Sequence, residues 1–305
     1  MDEGSRGQLE LIAGAAMLYV GGRAAAEALA RGEAAPGARA VGHWLPIAAV
    51  AGAAVLFGQS DMALTLLFSS SIAAIALVGG CVAIIGTTAN EPEFFPEPLR
   101  KAAAFLLPAA VLAYLSGFAG EIGWLSCALL ACQGAIALCV WFGRFDAKRA
   151  VSVRRLMVAA PLCVVGAWAA IHGATRLNPD IDYPPSLIAA ATILAPLLAA
   201  PMLLSGSMLA QRGQAWAAHG THIGVAQLNL CAGLPLAALL WRIRRHEAMA
   251  YPMHIWRVDA IVMVLLAAAL LPATAGRWRP GRMEGFFLVG LYIAYVLAVV
   301  VVALR

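Results

Sequence analysis

Charge is what this sequence has least of. Only 12% of its 305 residues are Asp, Glu, Lys or Arg, while 62% are hydrophobic. A soluble domain holds roughly 25% charged and 45–50% apolar residues. So little polar surface excludes a soluble enzyme, a disordered chain and a DNA-binding module, and leaves a polytopic membrane protein. Paired cysteine motifs are missing too. Cys81, Cys127, Cys132, Cys139, Cys163 and Cys231 all fall in apolar stretches without a CxxC spacing, so they read as small buried hydrophobes rather than as disulfides or a zinc site. No phosphate-cradling glycine loop and no nucleophile–base motif is present, which argues against an enzyme, and nothing points to a nucleic-acid partner. The opening MDEGSRGQLE lacks the basic start of a signal peptide.

What is present is a series of apolar runs. A spanning helix needs about 20 mostly apolar residues, and ten stretches qualify: roughly 8–30, 41–58, 61–87, 101–118, 121–142, 155–174, 185–205, 214–241, 257–275 and 284–304. The expected partner of such a chain is the lipid bilayer. The loops that would follow the odd-numbered spans hold 14 of the 21 Lys and Arg residues, which places them in the cytoplasm and both termini outside. Abundant Ala, Gly and Arg beside little Lys suggests a GC-rich bacterium, hence an inner (plasma) membrane.

The most basic loop divides the chain into residues 1–143, a linker 144–155, and residues 156–305. Leu45-Pro46-Ile47 precedes Gly58-Gln59 by about a dozen residues, and Ala200-Pro201-Met202 precedes Gly213-Gln214 at the same spacing. Two similar halves of five spans each have opposite topologies, the inverted-repeat arrangement in which transporters place a site near the midplane.

These motifs resemble the two repeats of the cation/calcium antiporter superfamily, the sodium/calcium exchangers. Gly42-His43-Trp44-Leu45-Pro46-Ile47 lies on the family's GTSLPE, and Ser69-Ser70-Ser71 on its GSN. In the second half Pro201-Met202-Leu203 lies on PEL, Gly220 to Ala226 on GNxxGSN, and Asn229 on the final Asn. Arg257-Val-Asp259 and Glu284-Gly285 running into Leu291-Tyr292-Ile-Ala-Tyr295 resemble the family's last two helices. The resemblance implies an all-α polytopic fold of about ten transmembrane helices in two inverted five-helix repeats, with ion-site positions at Ile47, Ser69, Ser70, Ser71, Met202, Ser205, Thr221 and Asn229.

At those positions the family's two ion-binding glutamates are Ile47 and Met202. Calcium wants several oxygens, usually with carboxylate charge, so calcium is not the expected ligand. No Asp or Glu is placed deep in a span by the sequence; Glu121, Asp259 and Glu284 are expected at helix starts, where the helix dipole and water accommodate them. His219 and His222 share a helix face. They suit a transition metal or heme, with His172 as a conceivable third ligand, or they satisfy a neighbouring carbonyl or hydroxyl, the commoner use. No resident cofactor is expected otherwise. Thr65 and Ser69–Ser71 offer hydroxyls for a monovalent cation, or simply allow close helix packing. Arg242, Arg244 and Arg245 form a basic strip, and Phe94-Phe95 sits in a proline-stiffened acidic loop; both are candidate docking surfaces for other membrane proteins. The favoured functional expectation is a non-transporting subunit or scaffold of a membrane complex. The alternative is a transporter of altered selectivity, for a monovalent cation, proton or small solute.

Overall fold

The computed structural model describes residues 3–29, 36–86, 97–142, 152–176, 185–274 and 280–303. The helices are α1 (Glu3–Leu29), α2 (Pro36–Leu56), α3 (Ser60–Gly86), α4 (Glu97–Ser116), α5 (Trp124–Phe142), α6 (Val153–Thr175), α7 (Leu187–Gln211), α8 (Ala215–Arg245), α9 (residues 253–274, its last turn slightly broken) and α10 (Arg282–Ala303). Seven are long and apolar enough to cross a membrane, and α4 and α5 contribute shorter apolar segments. The ten helices of the described residues thus stand close to the ten apolar runs of the sequence. Large side chains such as Leu125, Met157, Leu265, Met283 and Phe287 face outward, the pattern of a bundle solvated by hydrocarbon.

The two halves repeat one another in detail. Pro46 interrupts α2 and Pro201 interrupts α7. Each helix then ends on a left-handed glycine, Gly58 at φ 82° and Gly213 at φ 73°. The next residue closes the turn with the same bond, Gln59 N–H to the Ala54 carbonyl at 2.8 Å and Gln214 N–H to the Leu209 carbonyl at 2.9 Å. This six-residue closure with a glycine in the left-handed position is the Schellman stop; it reverses the chain sharply into α3 and α8. Both of these helices then contain a π-helical turn, Ala73–Val78 in α3 and Asn229–Gly233 in α8.

Small residues set the packing. A methyl group on Gly14 would run into the backbone nitrogen of Ala170, and one on Gly173 into that of Leu11. The backbones of α1 and α6 thus touch directly, as small-residue seams allow in membranes. Glu10 ties the same pair polar-side, its oxygens 2.8 Å from His172 Nδ1 and 3.0 Å from Arg176 Nη1. The core proper is α3 with α2, α7 and α8 around it: of residues 60–76, all but Asp61 are buried.

Three expectations need correction. Glu121 does not start a helix; with Ile122 it forms a short strand, β1, paired antiparallel to β2 (Met249–Ala250). A left-handed glycine at 120 (φ 71°) closes the turn that follows α4, and α5 starts only at Trp124. Only Cys163 and Cys231 are buried, whereas Cys132 and Cys139 lie exposed on α5, since the outward side of that helix is as apolar as its inward side. Residues 153–155, expected in the linker, already belong to α6; residues 144–151 and the Phe94-Phe95 loop lie outside the described residues.

Candidate functional site

The polar side chains of this apolar bundle gather along α3. Its hydroxyl run begins with Thr65 and continues through Ser69, Ser70 and Ser71, all buried. Ser71 Oγ donates to the Leu67 carbonyl at 2.7 Å, and Asn229 Nδ2 of α8 donates to Ser71 Oγ at 3.1 Å. Asn229 stands at the first residue of the π-helical turn in α8, a distortion often found at functional sites because it re-aims side chains out of helical register. Thr65 Oγ1, Ser70 Oγ and Asn229 Oδ1 are buried with no hydrogen-bond partner. An unpartnered buried polar atom costs about 1–3 kcal/mol; two of these three lie on α3, five residues apart, and the third on α8 in the side chain that bonds Ser71.

Ser69 faces another way. Its Oγ lies 2.7 Å from Tyr295 OH of α10, and Tyr295 OH donates to Asp259 Oδ1 at 2.9 Å. Asp259 is 4% exposed and sits in a π-helical turn of α9, Trp256–Ala260. Because α9 and α10 run antiparallel and α3 starts on the face where α9 starts, depths can be compared. Asp259, Tyr295 and Ser69 each lie about two turns in from that same face. The expectation that no acid lies deep in a span is therefore wrong. Position near the start of α9 suggested a hydrated end, but the helix begins earlier, at Met253, and its partners enclose the carboxylate.

The two glutamate positions hold Ile47 and Met202, 1% and 2% exposed, and both belong to the buried apolar core. Toward the opposite face lies a histidine group. His219 Nδ1 and His222 Nε2 are 2.8 Å apart and bond to one another, and the His222 ring is seated against Gly79, where a methyl carbon would approach its Cε1 to 2.7 Å. His43 Nε2 lies 3.3 Å from Ser205 Oγ, which also donates to the Met202 carbonyl at 3.1 Å. Thr221 Oγ1 is spent on the Ala217 carbonyl at 2.9 Å.

The sodium/calcium exchanger protein family matches residues 11–142 and 152–301. The chain belongs to that family. Among solved structures, the sodium-calcium exchanger NCX_Mj is similar at a TM-score of 0.68 and 19% identity, covering 97% of this chain and 99% of that one. The H+/Ca2+ exchanger CAX gives 0.71 at 15% identity, with 99% and 88% covered, and native YfkE gives 0.73 at 15%, with 96% and 91% covered. At such identities these likenesses speak for the exchanger fold. No curated protein matches the sequence.

Within the exchanger fold, Ser71 of α3 and Asn229 of α8 are brought together, while Ser69 turns to Tyr295, Ser205 sits with His43 and Thr221 bonds its own helix. His172 does not join His219 and His222; it is held by Glu10 and stacked on Trp168 at 5.0 Å between ring centres. Among the described residues no group of three His, Cys, Asp or Glu side chains is arranged to hold a metal ion. Arg242 stacks on Trp124, Arg245 on Trp241, and Arg244 bonds the Val55 carbonyl, so the basic strip is engaged within the chain. Between α2, α5 and α8 lies a cavity of about 360 Å³, lined by small and aliphatic residues with Gln227 as its polar member.

Proposed function

We propose that this protein is a membrane transporter of the exchanger family that moves a monovalent cation and not calcium, seated in a bacterial inner membrane with both termini on the periplasmic side. One observation carries the reading: neutral oxygens of Thr65, Ser70 and Asn229 lie buried and unpartnered beside α3, while the two positions that carry glutamate in the family are Ile47 and Met202. A divalent ion entering such a site gives up strong hydration for dipoles alone, whereas a singly charged ion loses far less. A pure scaffold gains nothing from unsatisfied hydroxyls and amides in its core, and the arginines once considered for docking are used within the bundle. This favours transport over the non-transporting subunit that the sequence alone favoured.

The test is flux in proteoliposomes holding the purified chain. Sodium or rubidium tracer should equilibrate faster than in empty vesicles, Asn229→Ala and Ser70→Ala should abolish the difference, and calcium tracer should not move. Absence of any monovalent flux, together with a stoichiometric partner after gentle extraction from native membranes, would return the subunit reading.

A further inference from the structure

Asp259 is a carboxyl group about two turns inside the bundle, and the hydrogen-bond directions around it are fixed by counting hydrogens. Tyr295 has a single phenolic hydrogen, and it is given to Asp259 Oδ1. Ser69 must then be the donor in its 2.7 Å contact with Tyr295 OH. Ser69, Tyr295 and Asp259 thus form a directed chain of hydroxyl donors ending on a carboxylate. Ser69 precedes Ser70, whose hydroxyl is unpartnered, by one residue, so the outer end of the chain and the polar run that meets Asn229 share one turn of α3.

From this juxtaposition we propose that Asp259 is the proton-carrying group of the protein and that the Ser69–Tyr295 pair is its path to the central polar run, making cation movement proton-coupled. The proposal rests on the transport reading above for its coupling, and on the geometry alone for its proton site. The step balances without any further reactant. A proton arriving at Ser69 Oγ displaces the serine's own proton onto Tyr295 OH, the phenolic proton passes to Asp259 Oδ1, and both hydroxyls reverse their donor direction. The carboxylate becomes a neutral acid, one unit of charge has moved about two hydrogen bonds, and the reverse sequence releases it.

The groups facing Asp259 are few. From α10 they are Tyr295 and, behind it, Tyr292; ahead of α9 is Tyr251, buried with its hydroxyl unpartnered. From α3 they are hydroxyls only. On the adjoining half of α4 the titratable side chain is Tyr114, set edge-on to Phe118 at 5.5 Å. On its own helix Arg257 points outward. Among the described residues no basic side chain pairs with the carboxylate.

Two measurements on the full-length protein test this. The first is pH-difference infrared spectroscopy of the purified protein in lipid, following the protonated-carboxyl stretch. The wild type should show a titrating band from a hydrocarbon-like environment, Asp259→Asn should remove that band, and Tyr295→Phe should shift it. The second is proton movement into proteoliposomes, read by an enclosed pH dye under an imposed sodium or potassium gradient. The wild type should acidify or alkalinise the lumen with the gradient's direction, Asp259→Asn should abolish this, and Tyr295→Phe should slow it about tenfold, the effect of losing one hydrogen bond to a charged group. A carboxyl band unaffected by Asp259→Asn overturns the proton site. Cation flux with no accompanying proton movement overturns the coupling and leaves transport standing. A titrating band without flux of any kind keeps the site and rejects the transport reading. Asp259→Asn preserves shape, and Tyr295→Phe keeps the ring, so a lost band in the first and a shifted band in the second, with normal elution and melting, report chemistry and not misfolding.

Discussion

Arg244 Nη1 donates to the main-chain carbonyl of Val55 across 2.9 Å. The end of α8 therefore ties down the end of α2, adding a second donor to a carbonyl that also accepts from Gly58 N–H at 3.0 Å. A guanidinium beside a helix C-terminus is also favourably placed in the helix dipole. The turn that follows, with Gly58 at its centre, is covered by the same arginine pair, because Arg245 approaches Gly58 as well.

Replacing Arg244 with Met should lower stability by about 1–2 kcal/mol, the loss of one charge-assisted hydrogen bond to the backbone. Thermal unfolding in detergent would show it as a lowered Tm. Arg242→Met, which loses only stacking on Trp124, should do less. Equal effects would mean that the Val55 contact contributes little.

Restoring acids at both apolar positions, Ile47→Glu with Met202→Glu, should cost stability in calcium-free buffer, since two carboxylates enter a core with no cation. Calcium at about a hundred times its dissociation constant should then return about 2.7 kcal/mol. Melting curves with and without calcium measure both effects. The wild type should show no calcium-dependent shift, and a folded double variant indifferent to calcium would count against placing these residues on the family's site.

The seam between α1 and α6 predicts a sharp positional contrast. Gly14→Leu and Gly173→Leu push a side chain into the opposing backbone and should cost about 1–3 kcal/mol or more. Gly290→Leu, on α10 where nothing lies within 4 Å of the added carbon, should be tolerated and gain helix propensity. Expression yield and Tm of the three variants decide it.

For the histidine pair, His219→Ala leaves His222 Nε2 without its bond in a buried place. The expected cost is about 1–3 kcal/mol, with no change in metal content by elemental analysis. Stoichiometric metal lost on this substitution would restore the ligand reading.

Much of this was legible in the sequence. The Pro46–Gly58 and Pro201–Gly213 spacings carried the repeat, because a helix-interrupting proline and a left-handed glycine act locally and leave a local signature. The resemblance alone singled out Ser69–Ser71 and Asn229, of which Ser71 and Asn229 meet across α3 and α8. Asp259 was misplaced for a physical reason: its distance from a helix end looked short in sequence, and burial came from Tyr295 and Ser69, respectively 36 and 190 residues away along the chain. A carboxylate and a phenol in consecutive apolar runs were the available signal. His219 and His222 were correctly put on one face, but spacing cannot reveal that each is the other's hydrogen-bond partner. Glu121 was lost to a two-residue strand that only its distant partner at 249–250 creates.

The π-helical turns carry one last consequence. Each spends an additional residue on a turn that an ordinary helix would close sooner, so α3, α7, α8 and α9 each hold a dislocation, with the segments on either side out of phase. Excising a single residue such as Ala76 would anneal the defect in α3 and swing the half beyond it by about 100° relative to Ser69–Ser71. Spacing along these helices is thus as much a determinant of where the hydroxyls point as the identity of the residues themselves.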